Sequence, residues 1–157
     1  MYKRNVTLDI SKERTLFLWG ARQTGKSTLL KWLFPEARWY DLLLSDTYRR
    51  LISNPALIRQ ECDAENTTGE TQKHPIIVDE VQKVPDLLDE IHWLIENRGI
   101  RFILCGSSAR KLKRGHGNLL GGRATRCELH PLVYPEIPEF SLAKALTFGL
   151  LPPHDVS

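Results

Sequence analysis

Residues 16–35 read LFLWGARQTGKSTLLKWLFP. An apolar run, Leu16-Phe17-Leu18-Trp19, leads directly into Gly20, and Gly25-Lys26-Ser27 follows after four more residues. The string satisfies G-x-x-x-x-G-K-[ST] in the setting that pattern requires, a strand before it and a helix after it. Glycine lets a backbone turn tightly and approach oxygen atoms without a Cβ clash. The main-chain N–H groups of Gly20, Ala21, Arg22, Gln23, Thr24 and Gly25 are therefore expected to point inward around a polyphosphate. Lys26, Ser27 and Thr28 would open a helix whose positive end faces the same group. Lys26 is predicted to place a cation on the β- and γ-phosphates, and Ser27 to offer its hydroxyl to Mg²⁺.

Working outward, apolar runs alternate with helical patterns. Strands are predicted at Arg14 to Trp19, Arg38 to Leu44, Pro75 to Val78, Ile100 to Cys105 and Arg123 to Leu129. A helix is expected from Lys26 to Phe34, with Leu29, Leu30 and Leu33 on one face and Pro35 ending it. A second is expected from Asn54-Pro55 to about Cys62, with Asn as cap and Pro in the first turn. Pro85 to Arg98 is the clearest: Leu87, Leu88, Ile91, Leu94 and Ile95 form one stripe, and Gly99 stands past the end. Asp63 to Lys73 reads as a mobile loop, Ala109 to Lys113 as a short helix, and His116 to Gly122 as a glycine-rich loop. The alternation predicts βαβ units and a parallel sheet. After Leu129, Pro131, Pro135 and Pro138 break the pattern. Residues 1–130 are read as one domain, and 131–157 as a proline-rich tail or linker leading to a further C-terminal region.

Two more strand ends carry chemistry. PIIVDE, Pro75 to Glu80, is an apolar strand closed by an acidic pair. Open α/β sheets bind ligands at such carboxyl ends. Asp79 is expected to hold Mg²⁺, directly or through its waters, and Glu80 to orient the attacking water and take its proton. FILCGSS ends in hydroxyls, and Ser107, rather than Ser108, is predicted to sense the γ-phosphate. The alternative for both serines is capping of a helix. Arg110 to Arg126 is basic, and Arg123, after Gly121-Gly122, is a candidate arginine finger acting in cis or in trans. Its alternative is a solvated basic face, or a weak nucleic-acid contact. Trp32, Trp39, Tyr40 and Trp93 are read as core or edge packing rather than a base-stacking platform.

Composition narrows the classes. A net charge of +3 does not argue for nucleic acid by itself. Three cysteines without a CxxC pair indicate neither a zinc site nor a disulfide framework, and Cys105 is expected as an apolar thiol in a buried strand. No apolar run is long enough to span a bilayer, and no secretory signal is evident, so a cytoplasmic protein is expected.

Taken together, GARQTGKSTLLKWLFP, IIVDEVQKVPDLLDEIHWLIEN, FILCGSSARKLKRGHGNLLGGR and LHPLVYPEI, in that order, closely resemble the prokaryotic AAA-superfamily ATP-binding proteins. In these, an N-terminal P-loop domain precedes a C-terminal domain of unknown function. Ala21 stands where proline is common in the family. The resemblance implies a three-layer α/β P-loop NTPase fold of the additional-strand, catalytic-glutamate type. Its five-stranded, mainly parallel sheet would have the Ser107 strand between the Asp79 strand and the phosphate-loop strand. It also implies ATP and Mg²⁺, Glu80 as the water-activating residue, and a C-terminal half that responds to turnover. Three functions follow: an ATPase, a nucleotide-gated switch with little turnover, and a nucleic-acid-dependent motor, for which no recognition motif is present. A small-molecule kinase is disfavoured by Glu80. Partners are expected to be ATP and ADP, with self-association or the chain's own C-terminal region completing the site.

Overall fold

A computed structural model of the chain describes residues 4, 15–107, 120 and 124–152. Five strands form one sheet: β1 (Thr15–Trp19), β2 (Trp39–Asp41), β3 (Ile76–Asp79), β4 (Phe102–Gly106) and β5 (Ala124–Glu128). Their order is β2-β3-β4-β1-β5, and every neighbouring pair is parallel. The helices are α1 (Lys26–Leu33), α2 (Ser45–Ser53), α3 (Leu57–Ala64), α4 (Leu87–Arg98) and α5 (Leu142–Phe148).

The strand side chains alternate between two cores, as a period of two requires. Leu16, Leu18, Ile77, Ile103 and Cys105 pack with Leu29 and Leu30 of α1. Phe17, Trp19, Ile76, Val78, Phe102 and Leu104 face the other way, against Leu51 of α2, Ile58 of α3 and the Leu87, Leu88, Ile91, Leu94 stripe of α4. The sheet is thus the middle of three layers, and its central strands are buried on both faces. That is why β1, β3 and β4 read as continuous apolar runs. Gly99 closes α4 in the left-handed conformation, φ 64°, which glycine adopts without a Cβ penalty.

Several expected boundaries shift. The run Arg38 to Leu44 is a strand for only three residues, because the Asp41 carboxylate accepts the Leu43 N–H at 2.9 Å and turns the chain. Helix α2 follows at once, where none was expected. Asn54 closes α2 by donating its N–H to Arg50 O at 3.1 Å, so it does not cap the next helix, which begins at Leu57. The polar segment read as a mobile loop is fastened: Gly69 N–H donates to Arg98 O at 2.8 Å, and the Gln72 amide exchanges bonds with both main-chain groups of Arg101. Trp32 is 65% exposed and so is not core, and Trp93 is exposed with the Arg59 guanidinium over its ring. Beyond β5, a 3-10 turn at Tyr134–Glu136 and α5 interrupt the proline-rich stretch, and Leu132 N–H donates to Leu150 O at 2.7 Å. The expected short helix at Ala109 to Lys113 and the loop at His116 to Gly122 lie outside the described residues. No described helix is long and apolar enough to cross a membrane.

Candidate functional site

The site lies at the carboxyl ends of β1, β3 and β4. Strand β1 stops at Trp19, whose carbonyl accepts the Leu129 N–H at 2.7 Å. A Cβ on Gly20 would stand 2.3 Å from Leu129 O, so the first glycine of the motif is fixed by the chain leaving β5. The loop then curls through two left-handed residues, Gln23 at φ 65° and Gly25 at φ 87°. Thr24 is fully buried and its hydroxyl donates to Ala21 O at 3.0 Å, closing the curl from within. Helix α1 starts immediately, with Leu29 N–H on Gly25 O at 2.9 Å.

Lys26 is only 6% exposed, and its ammonium group donates to Gly20 O at 2.8 Å and Ala21 O at 2.9 Å. An ammonium group has three donors, and neutral carbonyls leave its charge uncompensated, so it remains able to take an anion. Ser27 donates its hydroxyl to Asp79 Oδ2 at 2.6 Å. The other carboxylate oxygen of Asp79 accepts the Glu80 N–H at 3.0 Å. Glu80 itself is at φ 58°, a left-handed conformation sparsely used by residues with a side chain. Its carboxylate accepts from the Gln82 amide, which also donates to Ser107 Oγ at 3.3 Å. Gln82 Oε1 is buried with no hydrogen-bond partner among the described residues.

Lys26, Ser27, Asp79, Glu80 and Ser107 are therefore drawn to one end of the sheet from three strand ends. A cavity of about 490 Å³ lies between the loop, the first turn of α1 and the acidic pair, with Arg22, Gln23, Gly25 and Thr28 among its lining residues. Leu43 and Pro152 line it too. Beneath it, burial chiefly, and then the Asp79 carboxylate, pushes the Cys105 thiol well above its ordinary range, so Cys105 stays a neutral filler in the core. Arg123 and Ser108 lie outside the described residues, as do Arg110, Lys111, Lys113 and Arg114. Arg126 is described and donates to Glu128 at 2.5 Å on the surface.

The donor set suits Mg²⁺: one carboxylate and one hydroxyl, both oxygen, already in contact. Such an ion keeps waters and takes its remaining ligands from phosphate rather than from a protein cage. The sequence reading did not single out Gln82, Leu43 or Pro152. Gln82 had a signal, being polar between Val81 and Val84 just after the acidic pair. The other two are brought in only by the fold.

A family model described as an AAA domain matches residues 12–138. The chain belongs to that family. Comparison with functionally curated proteins returns no significant match. Among solved structures, the AAA domain is similar to the Walker-type ATPase paby2304 of Pyrococcus abyssi (17% identity, TM-score 0.50, 90% of this chain and 55% of that one). It is also similar to PCH-2 of C. elegans (21% identity, TM-score 0.49, 82% and 38%). A third likeness is to the ORC2 protein of Aeropyrum pernix in ADPNP–ADP complexes (17% identity, TM-score 0.48, 80% and 44%). The likeness to the Pyrococcus protein agrees with the α/β fold of parallel strands. The chain spans about half the length of that protein and less than half of the other two.

Proposed function

We propose that this AAA domain binds ATP with Mg²⁺ and hydrolyses it to ADP and phosphate. The observation that carries the reading is the contact of Ser27 with Asp79 at 2.6 Å, beside a buried Glu80 and on the cavity that Lys26 also lines. The main-chain amides from Gly20 to Gly25, with Ala21, Arg22, Gln23 and Thr24 between them, would cradle the phosphates, and Thr28 would extend the cradle into α1. Lys26 would shift its ammonium from the two loop carbonyls onto the β- and γ-phosphates. Ser27 and Asp79 would hold Mg²⁺, which when bound neutralises charge that develops on the phosphoryl oxygens. Glu80 would accept a proton from water as the water oxygen bonds to the γ-phosphorus and the bond to the ADP oxygen breaks. Ser107, joined to Glu80 through the Gln82 amide, would report the state of that phosphate. Arg123 is assigned the arginine-finger role, from its own chain or a neighbour's. Turnover would drive a conformational change in a C-terminal region, as in the family this sequence resembles.

A nucleotide-gated switch is the second reading, favoured by one observation. The Gln82 amide donates to one oxygen of the Glu80 carboxylate, which competes with water for that oxygen until Gln82 moves. One experiment separates the two: titrate MgATP and follow phosphate release in the wild type and in Glu80→Gln. Hydrolysis as the purpose requires release that collapses in the variant while affinity survives. Tight binding with equal, negligible release in both leaves the switch.

A further inference from the structure

The phosphate loop is also held from behind. Arg4 lies far from it in sequence and before the segment matched by the AAA family model. Its Nη1 donates to Thr24 O at 2.7 Å, within the loop. Its Nη2 donates to His130 O and lies 3.5 Å from Pro131 O, and its Nε donates to Glu136 at 3.2 Å. The two charged side chains are 8% and 4% exposed. Glu136 also accepts the Val133 N–H at 3.1 Å, so it is fixed by its own 3-10 turn.

Peptide geometry gives this fork a consequence. In a planar trans peptide the C=O and the following N–H point to opposite sides. A cation on Thr24 O therefore sets the Gly25 N–H pointing away from Arg4, and Gly25 is one of the residues that line the cavity. A charge-assisted bond to the carbonyl also polarises the peptide, making that N–H a better donor. Gly25, at φ 87° and without a side chain, is free to rotate its amide unless something holds it. The desolvation of a buried ion pair offsets much of its attraction, so the pair contributes little to folding on its own account.

We propose that Arg4 is a positioning residue for phosphate binding: held by Glu136, it orients the Thr24–Gly25 peptide so that the Gly25 amide meets the anion. The inference rests on the reading of the cavity as a nucleotide site. It also makes the turn at Tyr134–Glu136 a mechanical partner of the loop, since Arg4 joins both. A lysine would keep the charge but not the planar fork that reaches Thr24, His130 and Glu136 together.

The test uses the whole chain with MgADP as probe, comparing the wild type with Arg4→Lys and Glu136→Gln. Affinity should fall about tenfold in Arg4→Lys, the loss of one charge-assisted bond, and about threefold in Glu136→Gln. In the nucleotide-free variants the Gly25 amide proton resonance should move upfield at temperatures well below unfolding, which a general loss of stability does not produce. Variants that bind within twofold of wild type, or an unmoved Gly25 resonance, overturn the role of Arg4. A wild type that takes up no MgADP overturns the nucleotide reading itself, and the inference with it.

Discussion

The two ends of the sheet carry opposite kinds of polarity. At the carboxyl end, Lys26, Asp79 and Glu80 are each at most 9% exposed, and the backbone is left-handed at Gln23 and Glu80. At the amino end lies the larger cavity, about 820 Å³, between Thr68–Glu70 and the link from α4 to β4. Arg98, which lines it, reaches out to Asp63 of α3 in a 2.8 Å pair with side chains 42% and 35% exposed. Buried charge and a left-handed glutamate cost free energy that folding alone does not require. They are kept where a ligand or a reaction can use them. An open groove between exposed, mutually satisfied polar groups costs little and says little. Cavity size alone would point to the amino end; buried charge and backbone conformation point to the carboxyl end.

The sharpest way to break this contrast is Glu80→Gln. The change keeps shape and removes the base, so phosphate release under saturating MgATP should fall by about 10²–10⁴-fold, while affinity stays within a few-fold. A variant that releases phosphate at the wild-type rate would reduce Glu80 to an ornament of the strand end. Next in size is Gly106→Ala. A Cβ there would stand 2.3 Å from Gln82 Oε1 and 2.4 Å from the buried Trp19 ring, so both side chains must shift. Overpacking should lower stability by about 1–3 kcal/mol in a denaturant titration. It should also push Gln82 off Glu80 and Ser107 and so free the carboxylate, and phosphate release per folded molecule should rise rather than fall.

Most of the carboxyl end was legible because its signals are local. Gly20 to Thr28 is a contiguous pattern, and Asp79-Glu80 closes an apolar strand. The strand order came from the family resemblance and not from periodicity, since sequence patterns fix elements but not their neighbours. What escaped was decided over distance. Helix α2 buries only Leu51, and it is tied into the fold by Arg50, which pairs with Glu61 of α3. Tyr40 of β2 donates to the same carboxylate at 2.6 Å, and Arg38 reaches it at 3.1 Å. No window of residues 45–53 shows that network. Gln82 sits in a polar pair with Lys83 just after the acidic pair, but its two partners are at a strand end and at another strand's end. Arg4 gave no signal, because its meaning lies in Thr24, His130 and Glu136.

At the amino end, Gly69→Ala should cost stability and nothing else. Its Cβ would stand 2.4 Å from the Gly99 carbonyl, so the loop must shift, at about 1–3 kcal/mol in a denaturant titration. Affinity for MgATP should be unchanged. A loss of affinity that outran the loss of stability would show that the two ends communicate, and the contrast drawn between them would fail.

The smallest effect is expected from Arg98→Ala. The Arg98–Asp63 pair joins α4 to α3, yet both partners are in water, where screening and side-chain entropy offset most of the attraction. The denaturation midpoint should move by no more than the equivalent of about 0.5 kcal/mol, and less as salt is added. Phosphate release should be unaltered, because among the described residues none that lines this groove also lines the 490 Å³ cavity. If removing this one exposed guanidinium changes turnover several-fold, the 820 Å³ groove is part of the working machinery and exposure is a poor guide to function in this fold.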